Sequence, residues 1–121
     1  MTTKINMKSV TVEALKTVSE IKKVSPDYPT IWADFPTAIY RTMDKPHEVD
    51  SKGNELQTYW TITIEIYSVA SLTSITTQVL EVFSGIGFIG TKKDANTASL
   101  KRVIIELSGI VDNVTKFVYT K

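Results

Sequence analysis

Residues 56–68 read LQTYWTITIEIYS, and apolar side chains alternate with polar ones along this stretch. Successive side chains of an extended strand point to opposite faces of the sheet. One face would carry Leu56, Trp60, Ile62, Ile64 and Ile66, and the other would carry Gln57, Tyr59, Thr61, Thr63, Glu65 and Tyr67. This alternation predicts a half-buried strand with one face turned towards the core.

A helical pattern follows the strand directly, from Ser71 onwards. Its apolar side chains recur every three or four residues, at Leu72, Ile75, Val79, Val82, Phe83 and Ile86. These side chains would share one side of a helix. The helix is expected to end near Gly85 and Gly87, because glycine is common at helix C-termini. The strand-to-helix junction therefore predicts an α+β domain organised around these two elements.

Weaker patterns predict the remaining elements. A first helix is expected to begin near Ser9 or Thr11 and to stop before Pro26, and residues 28–35 are expected to be extended chain or a short edge strand. Further strands are expected at residues 37–43, 88–92, 100–111 and 115–120, with a two-residue turn at Asp112 and Asn113. The order is therefore α-β-β-α-β-β, with an optional last strand. Residues 1–8 are expected to form a flexible tail, and residues 9–121 a single α+β domain.

Composition and charge narrow the possible functions. The chain has 121 residues and no cysteine, which rules out disulfides and cysteine-bound zinc. Its 14 basic and 13 acidic residues leave a net charge of +1, so bulk charge favours neither nucleic acid nor an anionic membrane as a partner. No segment approaches the run of about 18 apolar residues that a membrane span needs. The sequence predicts a soluble protein that is not exported and assembles in a reducing cytoplasm.

A polar stretch, DKPHEVDSKGNE, separates the second predicted strand from the third and covers residues 44–55. Its turn-forming and charged residues predict a projecting hairpin loop. This loop would exceed the usual hairpin length of about two to five residues. A long polar arm on a small domain favours a role in contacting a partner, although an arm that is merely flexible remains the alternative.

No residue pattern predicts catalysis, a cofactor or a metal. His47 stands near Glu48 and Asp50, but a histidine in a polar loop is most often simply solvated. The string GIGFIG follows a helix, which is the reverse of the context of a dinucleotide-binding loop, and it is better interpreted as a helix C-cap. Three basic pairs could contact phosphates if they cluster, and otherwise they are solvated lysines: Lys22 with Lys23, Lys92 with Lys93, and Lys101 with Arg102.

Candidate interface residues come from the polar arm and from the polar face of the alternating strand. Tyrosine on the polar face of a strand is typical of protein interfaces. The candidates are Lys45, His47, Glu48, Asp50, Lys52, Asn54, Tyr59 and Tyr67.

Several strings of the chain, in this order, resemble one protein family. They are FPTAIYRTMD, YWTITIEIYS, SLTSITTQVLEVFSGIGF and KRVIIELSGIVD, with a charged hairpin between the first two and a turn carrying Asp94 before the last. Together they cover about residues 35–112. This combination resembles the tail terminator, or tail-completion and head–tail joining, proteins of long-tailed bacteriophages and phage tail-like particles.

The resemblance implies a structural role in the virion. Its fold would be a small antiparallel or mixed sheet with two main helices packed on one face, assembled into a six-fold ring. The ring would cap the head-proximal end of the tail tube, stop tube growth and join the tail to the neck. Its partners would be further copies of itself, the tube protein and a neck protein, without catalytic residues, cofactors, sequence-specific nucleic acid or membrane.

Other functions remain open from the sequence. A head-closure or adaptor protein of the neck would share these features. A stand-alone module that binds a small ligand or a peptide would be a monomer with an apolar pocket. A small enzyme is disfavoured, because no acid, base and nucleophile are placed together in the sequence.

Overall fold

The computed structural model describes residues 4–119, which form two helices and one six-stranded sheet. The elements are α1 (Met7–Lys16), β1 (Lys23–Ser25), β2 (Thr37–Val49), β3 (Glu55–Ser68), α2 (Thr73–Ile86), β4 (Ile89–Asp94), β5 (Lys101–Asp112) and β6 (Val118–Tyr119). The sheet has the order β1-β2-β3-β5-β4, and β6 pairs with the end of β5. β1 is parallel to β2 and all other pairs are antiparallel. This confirms the predicted small α+β fold with a mixed sheet.

Both helices pack on the same face of the sheet, which is called the helix face below. On β3 this face carries Ile62, Ile64 and Ile66, all fully buried, so the predicted strand register is confirmed. The core joins these side chains to α1, α2 and β5, and includes Leu15, Val18, Ile75, Val79, Phe83, Ile105 and Leu107. The sheet is thus covered on the side that its apolar residues occupy.

Helix α1 begins earlier than the sequence pattern predicts. Asn6 caps it by accepting a hydrogen bond on its side-chain oxygen from the backbone N–H of Lys8, at 3.0 Å. Met7 is buried with 1% exposure, and Ile5 packs against the core. The predicted tail boundary at residue 8 is therefore wrong for residues 4–8, whose apolar side chains hold them on the domain. Residues 1–3 lie outside the described part of the chain.

Helix α2 ends where the glycines predict. Gly87 has a φ of 110°, in the left-handed region, and its N–H bonds to the carbonyls of Phe83 and Ser84. A Cβ at Gly87 would lie 2.8 Å from the carbonyl oxygen of Val118. Conformation and space together thus require glycine at this helix end.

Two predicted segments have different structures. Residues 28–35 form no strand, and the edge strand is instead the three-residue β1, too short to leave a periodic signal. The predicted two-residue turn after β5 is instead a connection of residues 113–117, in which the side chain of Asn113 is buried. Its amide donates to Thr58 Oγ1 at 2.9 Å and to the Glu55 carbonyl at 3.3 Å. The last strand begins at Val118, and its predicted end at Thr120 lies outside the described residues.

Candidate functional site

The prediction of a polar loop at residues 44–55 is wrong, because most of these residues belong to the paired strands of a β-hairpin. β2 continues to Val49 and β3 begins at Glu55, so only residues 50–54 connect the strands. The pairing is irregular near His47, where a bulge separates the Pro46 and Glu48 pairs. The last pair between β3 and β5 is Gln57 with Asp112, so the hairpin extends slightly beyond the rest of the sheet. Residues 45–55 are called the hairpin end below.

Asp50 and Asn54 close the hairpin turn. The Asp50 carboxylate accepts bonds from the backbone N–H groups of Lys52 and Asn54, both at 2.9 Å, and from the Asn54 side chain at 3.0 Å. The Asn54 side chain and backbone lower the pKa of Asp50 through these bonds. Gly53 adopts a φ of 84°, which favours glycine. Asp50 and Asn54 therefore have a structural role in the turn, besides their predicted place at an interface.

The other candidates of the hairpin end lie on its surface. Lys45 is paired with Tyr59 across the two strands, and its ammonium lies 5.1 Å from the centre of the tyrosine ring. Glu48 and Lys52 are exposed, whereas His47 and Tyr59 are half-buried. The pairing of β2 with β3 places Lys45, Glu48 and Tyr59, whereas Lys52 lies in the connecting turn.

The metal hypothesis for His47, Glu48 and Asp50 gains no support from their arrangement. Within residues 4–119, no group of three or more histidine, aspartate or glutamate side chains is placed to hold a metal ion. The Asp50 carboxylate instead receives hydrogen bonds from the turn.

The second face of the sheet, opposite the helices, is closed at one end by residues 26–36. Tyr28 donates to Glu65 Oε2 at 2.7 Å, and Arg102 Nε donates to Glu65 Oε1 at 3.0 Å. The hydroxyl of Tyr67 donates to the same Oε1 atom at 3.2 Å. Glu65 is 6% exposed, so its charge is compensated inside the fold by these donors.

Aromatic rings complete this closed end. Trp32 lies 4.7 Å from Tyr67 between ring centres and stacks on Phe35 at 6.1 Å. Tyr28 lies edge-on to Tyr67 at 6.3 Å. Tyr67 is 6% exposed beneath these rings, so the chain itself already covers this candidate interface residue. The alternation of β3 placed Tyr67 on the polar face correctly, but it carried no sign of the segment that covers it.

The charge of Glu65 should make stability depend on pH. Burial raises its pKa, but hydrogen bonds from Tyr28 and Arg102 and the Arg102 charge outweigh burial, so the pKa lies below its ordinary value of 4.5. A lowered carboxylate pKa contributes stability that is present above pH 4.5 and is lost as the pH falls through the folded-state value. We expect Glu65→Gln to lower the free energy of unfolding by about 2–3 kcal/mol at neutral pH, with a smaller loss in acid. Urea unfolding over a pH series measures both.

Glu106→Gln is the matched control for this prediction. Glu106 lies on the same face of the sheet but is exposed. Its replacement should change stability by less than about 0.5 kcal/mol at any pH. A Glu65→Gln variant that loses as much stability in acid as at neutral pH would contradict the assigned role of the charge.

Between this closed end and Ile110 of β5, which is fully buried on the same face, the second face is open and mostly polar. One row of paired residues crosses four strands in the order Met43, Thr61, Ser108 and Ile89. The next row consists of Arg41, Thr63, Glu106 and Thr91. Met43 is 69% exposed and Ile89 is 54% exposed, so the apolar side chains of this open region lie at its two edges.

The basic pairs are only partly brought together. Lys92, Lys93 and Lys101 line a depression of about 390 Å³ beside the start of α2, together with Asp94 and Asn96. Arg102 pairs with Glu65, and Lys23 lies in β1 at the opposite edge of the sheet. This mainly polar depression differs from the apolar pocket expected of a small-ligand module.

Neither described helix is both long enough and apolar enough to cross a membrane. No protein-family model matches this chain, and no curated protein is similar enough to count as a match.

Proposed function

We propose that this protein is a non-enzymatic structural component of a phage or phage tail-like particle. In this role it is a tail terminator that caps the head-proximal end of the tail tube as a ring of six copies. It joins the capped tube to the neck. It acts through the complementarity of its surface to those of its partners and through closure of the ring.

The observation that carries the proposal is the hairpin end. It presents Lys45 and Glu48 on a paired strand and Lys52 in the connecting turn, at the end of the hairpin that extends past the last β3–β5 pair. Rigid, exposed charges of both signs suit docking onto a preformed protein surface. Its position at one end of the sheet lets it contact a tube while other surfaces remain available to neighbouring copies. The α+β fold with both helices on one face is also the fold that the sequence resemblance implies.

Directed binding to the assembled tube end follows from the proposed function. Several tube subunits together offer a multivalent site that a free subunit lacks, so the affinity for the end should exceed that for the free subunit. Particles made without this protein should carry tails of irregular or excessive length that fail to join heads. Negative-stain microscopy measures both effects, and added purified protein should restore joining.

A hairpin-end variant refines this test. The double variant Glu48→Lys with Lys52→Glu exchanges two charges. When it is added to particles made without this protein, it should fail to restore the joining of tails to heads. Its urea unfolding should be nearly unchanged, because both side chains are exposed. Glu20→Lys with Lys16→Glu makes the same exchange near the end of α1, and this control should still rescue. If particles made without this protein have tails of normal length that lack heads, the result would indicate that the protein is another neck component. Deletion particles with normal tails joined to heads would overturn the proposal altogether.

A further inference from the structure

Both outer edges of the sheet lack a neighbouring strand within residues 4–119. β4 pairs with β5 on one side only, and all six of its residues are exposed. At the other edge, β1 covers β2 only at residues 37–39, so the outer side of β2 is open from Tyr40 onwards. Unpaired strand edges readily accept another strand.

The two open edges carry matching apolar side chains. Met43 lies on β2 and Ile89 on β4, both on the second face and both more than half exposed. They occupy the same row, linked through Thr61 and Ser108. A neighbouring copy set at the same height would therefore bring Met43 of one copy beside Ile89 of the next.

The strand directions suit such a junction. Three successive antiparallel pairings separate β2 from β4, so the two strands run in opposite directions. When a second copy has the same orientation, its β2 meets β4 as an antiparallel neighbour. This contact joins two unlike surfaces, and such head-to-tail contacts generate rings when the rotation closes.

Charges on the helix face agree with the same register. Tyr40 and Lys92 also share a row, linked through Ile64 and Ile105. Tyr40 lines a depression of about 250 Å³ with Glu13 and Lys8. When Met43 of the second copy lies beside Ile89, Lys92 would lie opposite Tyr40 of that copy and close to its Glu13.

The opposite charges are matched as well. Lys92 lines a second depression, of about 490 Å³, with Glu81 and Leu80. The junction would bring this acid and base of one copy close to Lys8 and Glu13 of the second copy. None of Lys8, Glu13, Glu81 and Lys92 forms an ion pair with another residue of the described chain. Two complementary pairs are therefore available across the seam.

We propose that a second copy of this chain docks by adding the open part of its β2 to β4, with Met43 against Ile89 and Glu13 against Lys92. This inference rests on the ring of the proposed function and names the contact that builds it. Because β1 blocks residues 37–39, the joined segment is Tyr40–Met43 against Ile89–Lys92. Repetition of the contact continues the sheet from copy to copy.

Disulfide trapping tests the contact directly, because the chain has no cysteine of its own. Directly paired residues of antiparallel strands have Cα atoms about 4.5–5.5 Å apart, a separation that a disulfide spans. A mixture of purified Met43→Cys and Ile89→Cys proteins should give covalent dimers under a mild oxidant. The protein carrying both substitutions should give a ladder of larger species. Each single variant alone should stay monomeric on a non-reducing gel.

Ile31→Cys replaces Met43→Cys in the matched control, since Ile31 is 76% exposed but lies outside both edges. Mixed with Ile89→Cys, it should give no dimers. Equal trapping by the control pair, or no trapping by the Met43 and Ile89 pair, would overturn the inference.

Charge reversal provides a second readout in the purified protein. Glu13→Lys and Lys92→Glu should each weaken self-association roughly fivefold in sedimentation equilibrium, and their combination should recover most of the loss. Lys93→Glu, on the other face of β4, should not rescue Glu13→Lys. These experiments contain no tube and therefore test the contact between copies separately from the proposed function. If the disulfide-linked dimers form but particles made without this protein have tails of normal length, only the terminator proposal is wrong. If particles made without this protein carry overlong tails but the cysteine variants form no disulfide-linked dimers, only the proposed contact between copies is wrong.

Discussion

Ile64→Asp is expected to lower the free energy of unfolding by about 4–5 kcal/mol or more, enough to unfold much of the population. Ile64 is fully buried at the centre of the helix face, between Tyr40 of β2 and Ile105 of β5. An aspartate there places a carboxylate among apolar side chains without a partner, which is the most costly kind of burial. Urea unfolding, followed by far-UV circular dichroism, measures the loss.

Thr63→Asp is the control for Ile64→Asp. Thr63 lies one residue away on the open second face, where it pairs with Arg41 and Glu106. Attraction to Arg41 opposes repulsion from Glu106, and water solvates the new charge, so a change below about 1 kcal/mol is expected. Equal losses for the two variants would mean that the β3 register is shifted by one residue.

Gly90→Ala is expected to lower the free energy of unfolding by about 2–4 kcal/mol, a large effect for one added methyl group. A Cβ at this position would lie 1.7 Å from the carbonyl oxygen of Glu106 and 2.7 Å from its carbonyl carbon. These are backbone atoms of β5, so no side-chain rotation can relieve the clash. β4 must move away from β5 instead. Urea unfolding and hydrogen exchange of the β4 and β5 amides measure this displacement.

Gly85→Ala is the matched control for Gly90→Ala. Gly85 lies near the end of α2, and a Cβ there meets no atom within 4 Å. Alanine favours the helix more than glycine does, so this variant should be stabilised by about 0.5–1 kcal/mol. A Gly90→Ala protein as stable as the parent would show that the β4–β5 approach is looser than described.

The elements with strong local periodicity were predictable from the sequence. The alternation of β3 fixes which side chains are buried, and the spacing in α2 ends at a glycine that its left-handed φ requires. Both signals arise within one segment and need no knowledge of its neighbours. For that reason the fold class and the helix-face core agree with the sequence-based prediction.

The hairpin end was mispredicted because its composition resembles that of a loop. Lysine, proline and aspartate are poor strand formers, yet residues 44–46, 48 and 49 pair with β3. The gain from cross-strand contacts, such as Lys45 on Tyr59, depends on a partner that local propensity does not include.

The closed end of the second face could also not be predicted from the sequence. Glu65 receives its donors from Tyr28 and Arg102, each 37 positions away along the chain. Contacts at such separation follow from the sheet order and not from any local pattern. The open edges of the candidate ring contact have the same origin, because only the strand order reveals that β4 lies at one edge and that the short β1 leaves most of β2 open at the other.

The two tryptophans lie on opposite sides of the sheet, which provides an optical probe for each side. Trp32 contacts Tyr67 at the closed end of the second face, whereas Trp60 is 4% exposed in the helix-face core. With Trp32 replaced by phenylalanine, the remaining indole fluorescence comes from the helix-face core alone. With Trp60 replaced, it comes from the segment of residues 26–36. Spectroscopy can therefore follow the packing of the helices and the seating of this segment as separate events within one small domain.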